Sequence, residues 1–368
     1  MAPLVRIVDG SLGAEGQVRL VLSGVSDADG LIRAWSSSGA TIERHGTRIF
    51  ATTTVVALTR AAGRTLPAEE AGRLRMSAES AARTWSAPAP PVQAGAVQLA
   101  FDDGPVLMGV VNVTPDSFSD GGTVYPAGHP EAAITLGRQL VDEGAQVLDV
   151  GGESSRPGAA PVAEAEELAR VLPVLDGLAE AGALLSVDTT KAAVARAALE
   201  AGAGIINDVS GAANPELLEV VAGSEATYVL MHTRGTPADM SSRSAYDDVV
   251  AEVYEFLADG LERLEQAGID GERVLVDPGL GFAKTGTSNA VLLRCLRQLR
   301  GLGRPVLVGA SRKRFLGVLL SGAPADSRLE GSLACAVAAT LHGAAVIRAH
   351  DVEPTRRAVH VAHAIASS

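Results

Sequence analysis

Cysteine is scarce in this chain, which has only Cys295 and Cys335 in 368 residues. Two cysteines, both inside predicted helices, argue against a disulfide framework and against a cysteine-based metal site. No apolar run reaches the ~18 residues of a membrane helix, and the N-terminus lacks the basic and then apolar pattern of a signal peptide. We therefore expect a soluble, cytoplasmic protein with no membrane partner.

Basic residues are also in deficit. The formal net charge is −12, and lysine occurs only at Lys191, Lys284 and Lys313. A strongly acidic chain is a poor ligand for nucleic acid, so no nucleic-acid partner is expected. A small anionic substrate remains compatible, because it needs only a local cationic pocket. The lysine-poor composition is most simply a codon-bias effect, yet it makes a lysine at a strand end notable.

Hydrophobic residues, in contrast, make up 47% of the chain, and from Val106 onward short apolar runs alternate with helical periodicity. Strand–helix units that number eight over roughly 260 residues match an α/β fold of the (β/α)8 TIM-barrel type. A doubly wound sheet usually has fewer strands, and no G-x-G-x-x-G follows a strand here. The predicted strands are Val106–Thr114, Val147–Gly151, Leu184–Asp188, Gly204–Val209, Thr227–His232, Arg273–Asp277, Pro305–Gly309 and Ala345–Ala349. The predicted helices are Pro130–Gly144, Ala163–Ala181, Lys191–Ala201, Asn214–Ala222, Ala245–Ala267, Ser288–Leu299, Glu330–Gly343 and Pro354–Ala366.

The first 86 residues are predicted to form a small N-terminal α/β domain of unknown role. The segment APAPP at 87–91 disfavours a helix and indicates a proline-rich linker. We therefore divide the chain into this domain, a linker over 87–104 and a barrel over 105–368. The predicted strands of the small domain are Gln17–Val25 and Arg48–Leu58, and its predicted helices are Asp27–Gly39 and Glu69–Trp85.

Polar side chains follow the predicted barrel strands at the point where each strand ends. In a barrel all these ends open at one mouth, which is where active sites lie. A single aspartate there is more often a helix cap than a ligand. Polar residues at every end are different, because burying them unpaired would cost several kcal/mol each. The residues are Asn112, Asp149 with the loop 151–158, Asp188, Asn207 with Asp208, Met231 with His232, Asp277, Ser311 to Lys313, Arg348 and His350.

One part of this set suits a planar heterocycle. Asp188, Asn207 and Asp277 supply carboxylates and an amide, which can meet a guanidine-like donor edge with paired hydrogen bonds. Lys313 can reach a ring nitrogen or a carbonyl oxygen. The apolar faces for stacking are Met231 and Phe282.

The other part suits a phosphate group. Arg348, His350, Arg156 and Asn112 form a cationic and polar corner. Because the chain has no P-loop, side chains and helix N-termini must hold the phosphate. Asn112, together with carboxylates of the loop that follows it, could bind a Mg²⁺ completed mainly by phosphate oxygens.

Eight barrel segments resemble, in order, the motifs of the dihydropteroate synthase family. One such motif alone would be weak evidence, but eight in order at predicted strand ends are highly specific. A departure is Ser155, which stands where threonine is common, and the resemblance leaves residues 1–100 unexplained. The segments are MGVVNVTPDSFSDGG (108–122), LDVGGESSRPGA (148–159), SVDTTK (186–191), INDVSG (206–211), VLMHTRGTP (229–237), VDPGLGFAKT (276–285), VGASRKRFLG (308–317) and IRAHDV (347–352).

The resemblance implies a transferase of folate biosynthesis. It would condense hydroxymethyl-dihydropterin diphosphate with p-aminobenzoate to dihydropteroate and pyrophosphate, with sulfonamides as competing ligands, Mg²⁺ as cofactor and a homodimer formed through barrel helices. The implied catalytic residues are Arg348, His350, Asp188, Lys313, Asp116 and Arg156, and the implied metal ligand is Asn112. The implied substrate-binding residues are Asp188, Asn207, Met231, Asp277, Phe282, Gly309, Lys313, Ser311, Ser154, Ser155, Arg156, Pro157, Asn112, Arg348 and His350.

Two other functions stay open from the sequence. Methyl transfer from a methylated tetrahydrofolate to a corrinoid partner would also use Asp188, Asn207 and Asp277, but it would not require the Arg348-x-His350 pair or the Arg156 loop. A non-catalytic pterin-binding paralogue is the second alternative. For the first hundred residues the simplest interpretation is a small domain that packs on the barrel and has no catalytic role. The alternatives are an interaction module, a dimer-stabilising arm and a fused remnant.

Overall fold

The fold comprises two compact units. One contains the described residues of Met1–Ala89 together with Cys295–Gly303, and the other contains those of Pro90–Arg294 and Arg304–Ser368. A computed structural model describes the chain over residues 3–9, 18–37, 40–114 and 130–368. Within these ranges no helix is long and apolar enough to cross a lipid bilayer.

The first unit contains a four-stranded antiparallel sheet in the order β1-β2-β4-β3. Trp35 is fully buried in its core, where the indole Nε1 donates to Thr53 Oγ1 at 2.9 Å. The 3₁₀ segment Leu296–Leu302 belongs to the same unit, and Gln298 in it accepts a hydrogen bond from Arg6 at 2.8 Å. The elements are β1 Leu4–Asp9, β2 Val18–Ser23, α1 Ala28–Ser36, β3 Thr41–His45, β4 Arg48–Thr53, α2 Val55–Thr65 and α3 Ala68–Ser86.

The predicted strand Arg48–Leu58 is wrong in its second half. Strand β4 ends at Thr53, and the Thr54 side chain accepts a hydrogen bond from the Ala57 amide at 3.1 Å. Thr54 therefore caps helix α2, and the apolar run that follows it is helical rather than extended. Asp27, the first residue of the predicted helix Asp27–Gly39, caps helix α1, since its carboxylate accepts from the Gly30 amide at 2.8 Å.

A short hairpin lies within the predicted linker. Strands β5 (Val92–Ala94) and β6 (Val97–Leu99) pair antiparallel. The hairpin is fixed to the second unit, because the Gly95 amide donates to the Glu225 carbonyl at 2.9 Å and Thr227 Oγ1 donates to the Gln93 carbonyl at 2.7 Å. The residues after the proline run therefore have regular structure.

Within the described residues of the second unit, eight parallel strands form one sheet in the order β12-β11-β10-β9-β8-β7-β14-β13. A parallel bridge between Val276 and Val306 joins the two ends of this sheet, so the barrel is nearly closed. The predicted TIM barrel is confirmed. Its strands are β7 Val106–Asn112, β8 Val147–Gly151, β9 Leu184–Asp188, β10 Ile205–Asp208, β11 Thr227–Met231, β12 Val274–Asp277, β13 Leu307–Val308 and β14 Val346–Ala349.

The strand register explains why the polar ends meet. Asn112 pairs with Gly151, Gly151 with Asp188 and Asp188 with Asn207, so the ends of β7 to β10 form one row. Asp149 lies two residues before Gly151 and therefore projects from the same face of β8. The carboxyl end of the barrel thus collects side chains that are far apart in sequence.

Helices separate the barrel strands. The predicted helix Ser288–Leu299 is shorter than expected, because the α-helix ends at Arg294 and a 3₁₀ segment follows from Leu296. A six-residue helix after β13 was not predicted, since it is too short to show a periodic pattern. The helices are α4 Pro130–Asp142, α5 Glu164–Leu178, α6 Ala192–Glu200, α7 Pro215–Ala222, α8 Val249–Gln266, α9 Gly286–Arg294, α10 Arg314–Leu319, α11 Leu329–Leu341 and α12 Val352–Ala366.

Candidate active site

The carboxyl ends of the barrel strands surround a cavity of about 670 Å³. Asn207, Met231 and Asp277 are buried in the strands beside it rather than in its lining. Asp116 and the rest of the first loop beyond Thr114 lie outside the described residues. The predicted site residues that line the cavity are Asn112, Ser154, Ser155, Arg156, Pro157, Asp188, Phe282, Gly309, Ser311, Lys313, Arg348 and His350.

Arg348 bridges two carboxylates at one end of this cavity. We call the part of the cavity next to Asp188, Asn207 and Asp277 its inner end. The Nε of Arg348 donates to Asp149 Oδ2 at 2.6 Å, and its Nη2 lies 3.3 Å from Asp188 Oδ2. Burial raises the pKa of Asp188 to about 7, the Asp149 charge adds to this rise, and Arg348 opposes it. Asp188 therefore titrates near neutral pH, as expected of a group with a chemical role.

Lys313 and Phe282 form the neighbouring wall. The ammonium of Lys313 lies 4.9 Å from the centroid of the Phe282 ring and donates to the Leu280 carbonyl. Burial lowers the pKa of Lys313 to about 8, although the charge of Asp277 opposes this shift. Burial likewise raises the pKa of Asp277, against the opposing charge of Lys313. Each charge therefore offsets part of the desolvation cost of the other.

His350 contributes polarity without a positive charge. Its ring Nδ1 lies 3.1 Å from Ser311 Oγ, which also accepts a hydrogen bond from the His350 amide at 3.1 Å. Burial, followed by the charges of Arg348 and Arg312, lowers the pKa of His350 to about 3. The imidazole is therefore neutral at pH 7, and the positive charge near it comes from Arg348, Arg312 and Arg156.

The comparisons with known proteins agree on the identity of the barrel. A family model described as pterin binding enzyme matches residues 108–350. Dihydropteroate synthase of Escherichia coli (strain K12) is 45% identical over 267 residues, which are 72% of this chain and 93% of that protein. The chain belongs to the dihydropteroate synthase family.

Solved structures of dihydropteroate synthases support the same assignment. The Yersinia pestis enzyme, in a complex with a sulfonamide drug, is 41% identical with a TM-score of 0.71 and covers 76% of this chain and 100% of its own. The Xanthomonas albilineans enzyme, in complex with 7,8-dihydropteroate, is 44% identical with a TM-score of 0.68 and covers 76% of this chain and 100% of its own. The predicted family, fold and enzyme class, a transferase, are confirmed.

Several partners of the site residues in this dihydropteroate synthase were missed by the sequence reasoning. Lys191 pairs with Glu153 and with the fully buried Glu167, which fixes the start of the loop that carries Ser154 to Pro157. Arg170 supports the same loop by donating to the Gly152 carbonyl at 2.7 Å. A lysine just after the strand end Asp188, in a chain with so few lysines, was the available signal.

A second missed contact joins the loops after β13 and β14. The guanidinium of Arg312 binds both carboxylate oxygens of Asp351, with Nε to Oδ2 at 3.0 Å. Arg312 adopts a left-handed backbone conformation with φ of 57°, and Ser332 Oγ and the Arg328 side chain hold its amide and carbonyl. Such strain persists only where neighbours over-determine it. Ser311 and Lys313 are thereby held in register with His350.

Lys284 fixes the turn that follows β12. Its ammonium contacts His232 Nδ1 at 2.8 Å and donates to the carbonyls of Gly279 and Phe282 at 2.9 Å each. Burial, followed by the charge of Lys284, lowers the pKa of His232 well below its usual value, so this imidazole is a neutral acceptor. The turn positions Phe282 in the cavity wall.

There is no room for a side chain at Gly279, so substitution of this residue by alanine is expected to lower both stability and pterin binding. Its φ is +66°, and a Cβ would lie 1.9 Å from the His232 carbonyl oxygen. We expect Gly279→Ala to lower the free energy of unfolding by about 3 kcal/mol or more and to abolish pterin binding. Gly182 is the matched control, because its φ is +84° but a Cβ there would have no neighbour within 4 Å.

Gly182→Ala should cost only the left-handed backbone penalty of about 1–2 kcal/mol and leave binding unchanged. Chemical denaturation and calorimetric titration with the pterin measure the two quantities. Equal losses in the two variants would contradict the steric argument.

Proposed function

We propose that this cavity condenses hydroxymethyl-dihydropterin diphosphate with p-aminobenzoate to give dihydropteroate and pyrophosphate. The observation that carries the proposal is the position of Arg348, which lines the cavity and bridges the carboxylates of Asp149 and Asp188. We call the part of the cavity next to Ser154–Pro157 its outer end. The related Yersinia pestis and Xanthomonas albilineans enzymes form complexes with a sulfonamide drug and with 7,8-dihydropteroate, respectively. By this likeness we infer that sulfonamides compete with p-aminobenzoate here.

The pterin ring would occupy the inner end. Asp188, Asn207 and Asp277 would accept hydrogen bonds from its guanidine-like edge, since carboxylates pair well with such donors. Lys313 would donate to a ring acceptor, and Met231 and Phe282 would lie against the ring face. The burial of Asn207, Asp277, Met231 and Phe282 supports this arrangement, because a desolvated site strengthens each polar contact.

The diphosphate would lie toward Arg348, His350 and Arg156. An arylamine is neutral at pH 7 and needs no general base, so the barrier lies in expelling diphosphate from the CH₂ carbon. Arg348 would stabilise the negative charge that develops on the leaving group, and the neutral His350 would donate a hydrogen bond to it. Asp188 would favour positive charge on the carbon that the leaving group departs from.

Asn112 fits the hard-oxygen chemistry of a Mg²⁺ site. A Cβ at Gly151 would lie 3.7 Å from Asn112 Oδ1, so this glycine leaves open space beside the amide oxygen. Among the described residues no group of three or more His, Cys, Asp or Glu side chains could hold a metal by itself. We therefore propose Asn112 as a protein ligand of an ion otherwise bound by diphosphate oxygens, with Asp116 a further candidate. When bound, Mg²⁺ supplies charge neutralisation on the leaving group.

The p-aminobenzoate would enter from the outer end. The cavity lining includes Ser154, Ser155, Arg156, Pro157 and Ser311. Gly309 adds space, since a Cβ there would lie 3.7 Å from Arg348 Cβ and 3.8 Å from Lys313 Nζ. A pocket completed by loops would limit hydrolysis of the activated pterin.

The deciding experiment measures pyrophosphate release by the purified full-length chain with the pterin diphosphate, with and without p-aminobenzoate, in Mg²⁺ or in EDTA. We expect release that requires the amine and Mg²⁺ and that yields dihydropteroate. Pterin binding without release would instead support the non-catalytic paralogue or methyl transfer to a corrinoid. Absence of pterin binding would refute the assignment of the inner end.

The shifted pKa values of Asp188 and Lys313 predict a narrow pH range for pterin binding. Below pH 7 Asp188 gains a proton, so it loses its negative charge and one acceptor oxygen becomes a donor, and above pH 8 Lys313 loses its charge. Affinity for hydroxymethyl-dihydropterin is therefore expected to be highest between these values and to fall by about tenfold per pH unit well outside them. Calorimetric titration from acidic to alkaline pH tests this. Asp188→Asn should remove the acidic limb alone, and a flat profile in the unmodified protein would contradict the roles of both groups.

The remaining predictions concern the rest of the chain. We propose residues 1–86 as a non-catalytic domain, 87–104 as a connection that includes β5 and β6, and 105–368 as the pterin-binding barrel. Every described residue proposed for binding lies in the third segment, which supports this division. Homodimerisation through barrel helices, with the apolar face of Leu333 to Ala345 as the candidate surface, and a cytoplasmic location stay predictions.

A further inference from the structure

Asp149 is a buried charge to which the reaction, as proposed, gives no direct task. It lies in the middle of strand β8, and its side chain is fully excluded from solvent. The isolated ionised form would be very costly there, so its partners must balance it. Those partners come from three other strands of the barrel.

Three donors converge on this one carboxylate. Oδ2 accepts from Arg348 Nε at 2.6 Å and from Asn207 Nδ2 at 2.9 Å. Oδ1 accepts from the hydroxyl of the fully buried Ser186 at 2.6 Å. Arg348 lies on β14, Asn207 on β10 and Ser186 on β9. The carboxylate therefore links two residues proposed to contact the pterin diphosphate, although they belong to strands on opposite sides of β8 in the sheet order.

We infer that Asp149 is a positioning residue, which holds Arg348 and Asn207 in the geometry that the pterin diphosphate requires. This inference rests on the function proposed above. Arg348 is long and flexible, and a charge-assisted bond at Nε fixes the plane of its guanidinium while leaving the Nη1 and Nη2 groups for other partners. The same oxygen accepts from Asn207 Nδ2, which fixes the amide plane and directs Oδ1 away from Asp149.

An alternative role is purely structural: Asp149 would only satisfy buried donors and stabilise the barrel. The two roles differ in what the negative charge does. In Asp149→Asn the amide oxygen can replace Oδ2, and the amide nitrogen can donate to Ser186 Oγ, because a hydroxyl can turn and accept. This variant therefore retains the hydrogen-bond pattern and removes the charge that fixes Arg348.

Asp208 provides a matched control. It is also a fully buried aspartate at a barrel strand, and it accepts from Ser210 and Tyr228 rather than from Arg348 or Asn207. Asp208→Asn removes a buried charge of the same kind and should lower thermal stability. Its contacts are confined to the loop after β10 and to β11, so it should leave the geometry of Arg348 unchanged.

The test measures three quantities in the full-length protein: melting temperature, steady-state kinetics and the side-chain Nε–H resonance of Arg348 in ¹⁵N-arginine-labelled samples, assigned with Arg348→Lys. We expect Asp149→Asn to lower kcat/KM for the pterin diphosphate by about 30- to 100-fold, as for other displaced catalytic groups. The KM for p-aminobenzoate should change by less than threefold. The Arg348 resonance should shift and exchange faster with solvent, whereas in Asp208→Asn it should not.

Two results would overturn the inference. One is an Asp149→Asn protein with unaltered kcat/KM, and the other is equal kinetic loss in both variants, which would mark a structural role. If Asp149→Asn fails to fold, the unmodified protein still decides, because an Arg348 Nε–H that exchanges as fast as surface arginines would exclude a fixed guanidinium. Failure of the unmodified enzyme to release pyrophosphate would instead refute the proposed function, so the two failures are distinguishable.

Discussion

Arg348→Ala is expected to lower kcat/KM for the pterin diphosphate by roughly 10²–10³-fold, the range found when one charge-stabilising donor is removed from an active site. Arg348 is the cation that bridges Asp149 and Asp188 at the inner end of the cavity. Its loss removes stabilisation of the departing diphosphate. It also leaves two buried carboxylates facing each other without a counter-charge, which is the costly way to break a buried pair.

The pH dependence of pterin binding is a second, independent measurement on Arg348→Ala. Arg348 opposes the rise in the pKa of Asp188, so its removal must move that pKa above about 7. The acidic limb of pterin binding should therefore shift to higher pH in Arg348→Ala. A control is Arg357→Ala, whose side chain is 74% exposed and pairs with Glu353 on the same helix. Turnover of Arg348→Ala within threefold of the unmodified enzyme would contradict the assignment.

Asp277→Asn is expected to weaken pterin binding by about 10²–10⁴-fold, because a buried site built for a donor edge discriminates strongly when its pairing is lost. Asp277 Oδ1 already accepts from the Gly279 amide at 2.7 Å. An asparagine has only one acceptor oxygen, so its NH₂ group would face either the Gly279 amide or the donor edge of the pterin, and one hydrogen bond would be lost. The substitution also removes the charge that opposes the fall in the pKa of Lys313. Lys313 would then be less charged at pH 7.5, and two contacts would weaken together.

Binding of hydroxymethyl-dihydropterin by calorimetry measures this effect. The control is Asp326→Asn, at an exposed aspartate that accepts from Ser327 Oγ at 3.3 Å. The denaturation midpoint of Asp277→Asn should change little or rise, because a buried carboxyl with a raised pKa is replaced by a neutral amide. Retained affinity at pH 7.5 would remove Asp277 from the proposed pterin site.

Much of the barrel could be predicted from local pattern. The predicted bounds of β8 and β9 agree with the structure, because each strand is a buried apolar run that ends in a glycine or an aspartate at the mouth. The predicted Pro305–Gly309 shortens to Leu307–Val308, since only these residues keep the full ladder. Helix α10 and the break after Arg294 were missed, because short and 3₁₀ segments have too few residues to reveal a period.

The candidate site was predictable to the level of which residues share a mouth. Their pairing was not, because the sequence does not state rotamers or distances. The sequence is equally compatible with an Arg348 side chain that faces solvent or phosphate, whereas in the structure its Nε donates to Asp149. His350 was grouped with the cations, whereas burial beside Arg348 keeps it neutral. Hydrogen-bond partners and pKa shifts depend on three-dimensional neighbours, which local pattern does not contain.

The scarcity of lysine makes selective covalent labelling of this enzyme feasible. All three lysines lie around the same mouth, where Lys191 is held by Glu153 and Glu167 and Lys284 by His232 and two carbonyls. Ion pairs raise the pKa of Lys191 against the effect of burial, whereas burial lowers that of Lys313 to about 8. A useful fraction of Lys313 is thus an unprotonated nucleophile at mildly alkaline pH. Burial lowers the pKa of Lys284 as well, and both lysines line the cavity. Covalent modification of Lys313 and Lys284 by an aryl acylating reagent shaped like p-aminobenzoate, mapped by mass spectrometry, would therefore report directly on occupancy of the cavity.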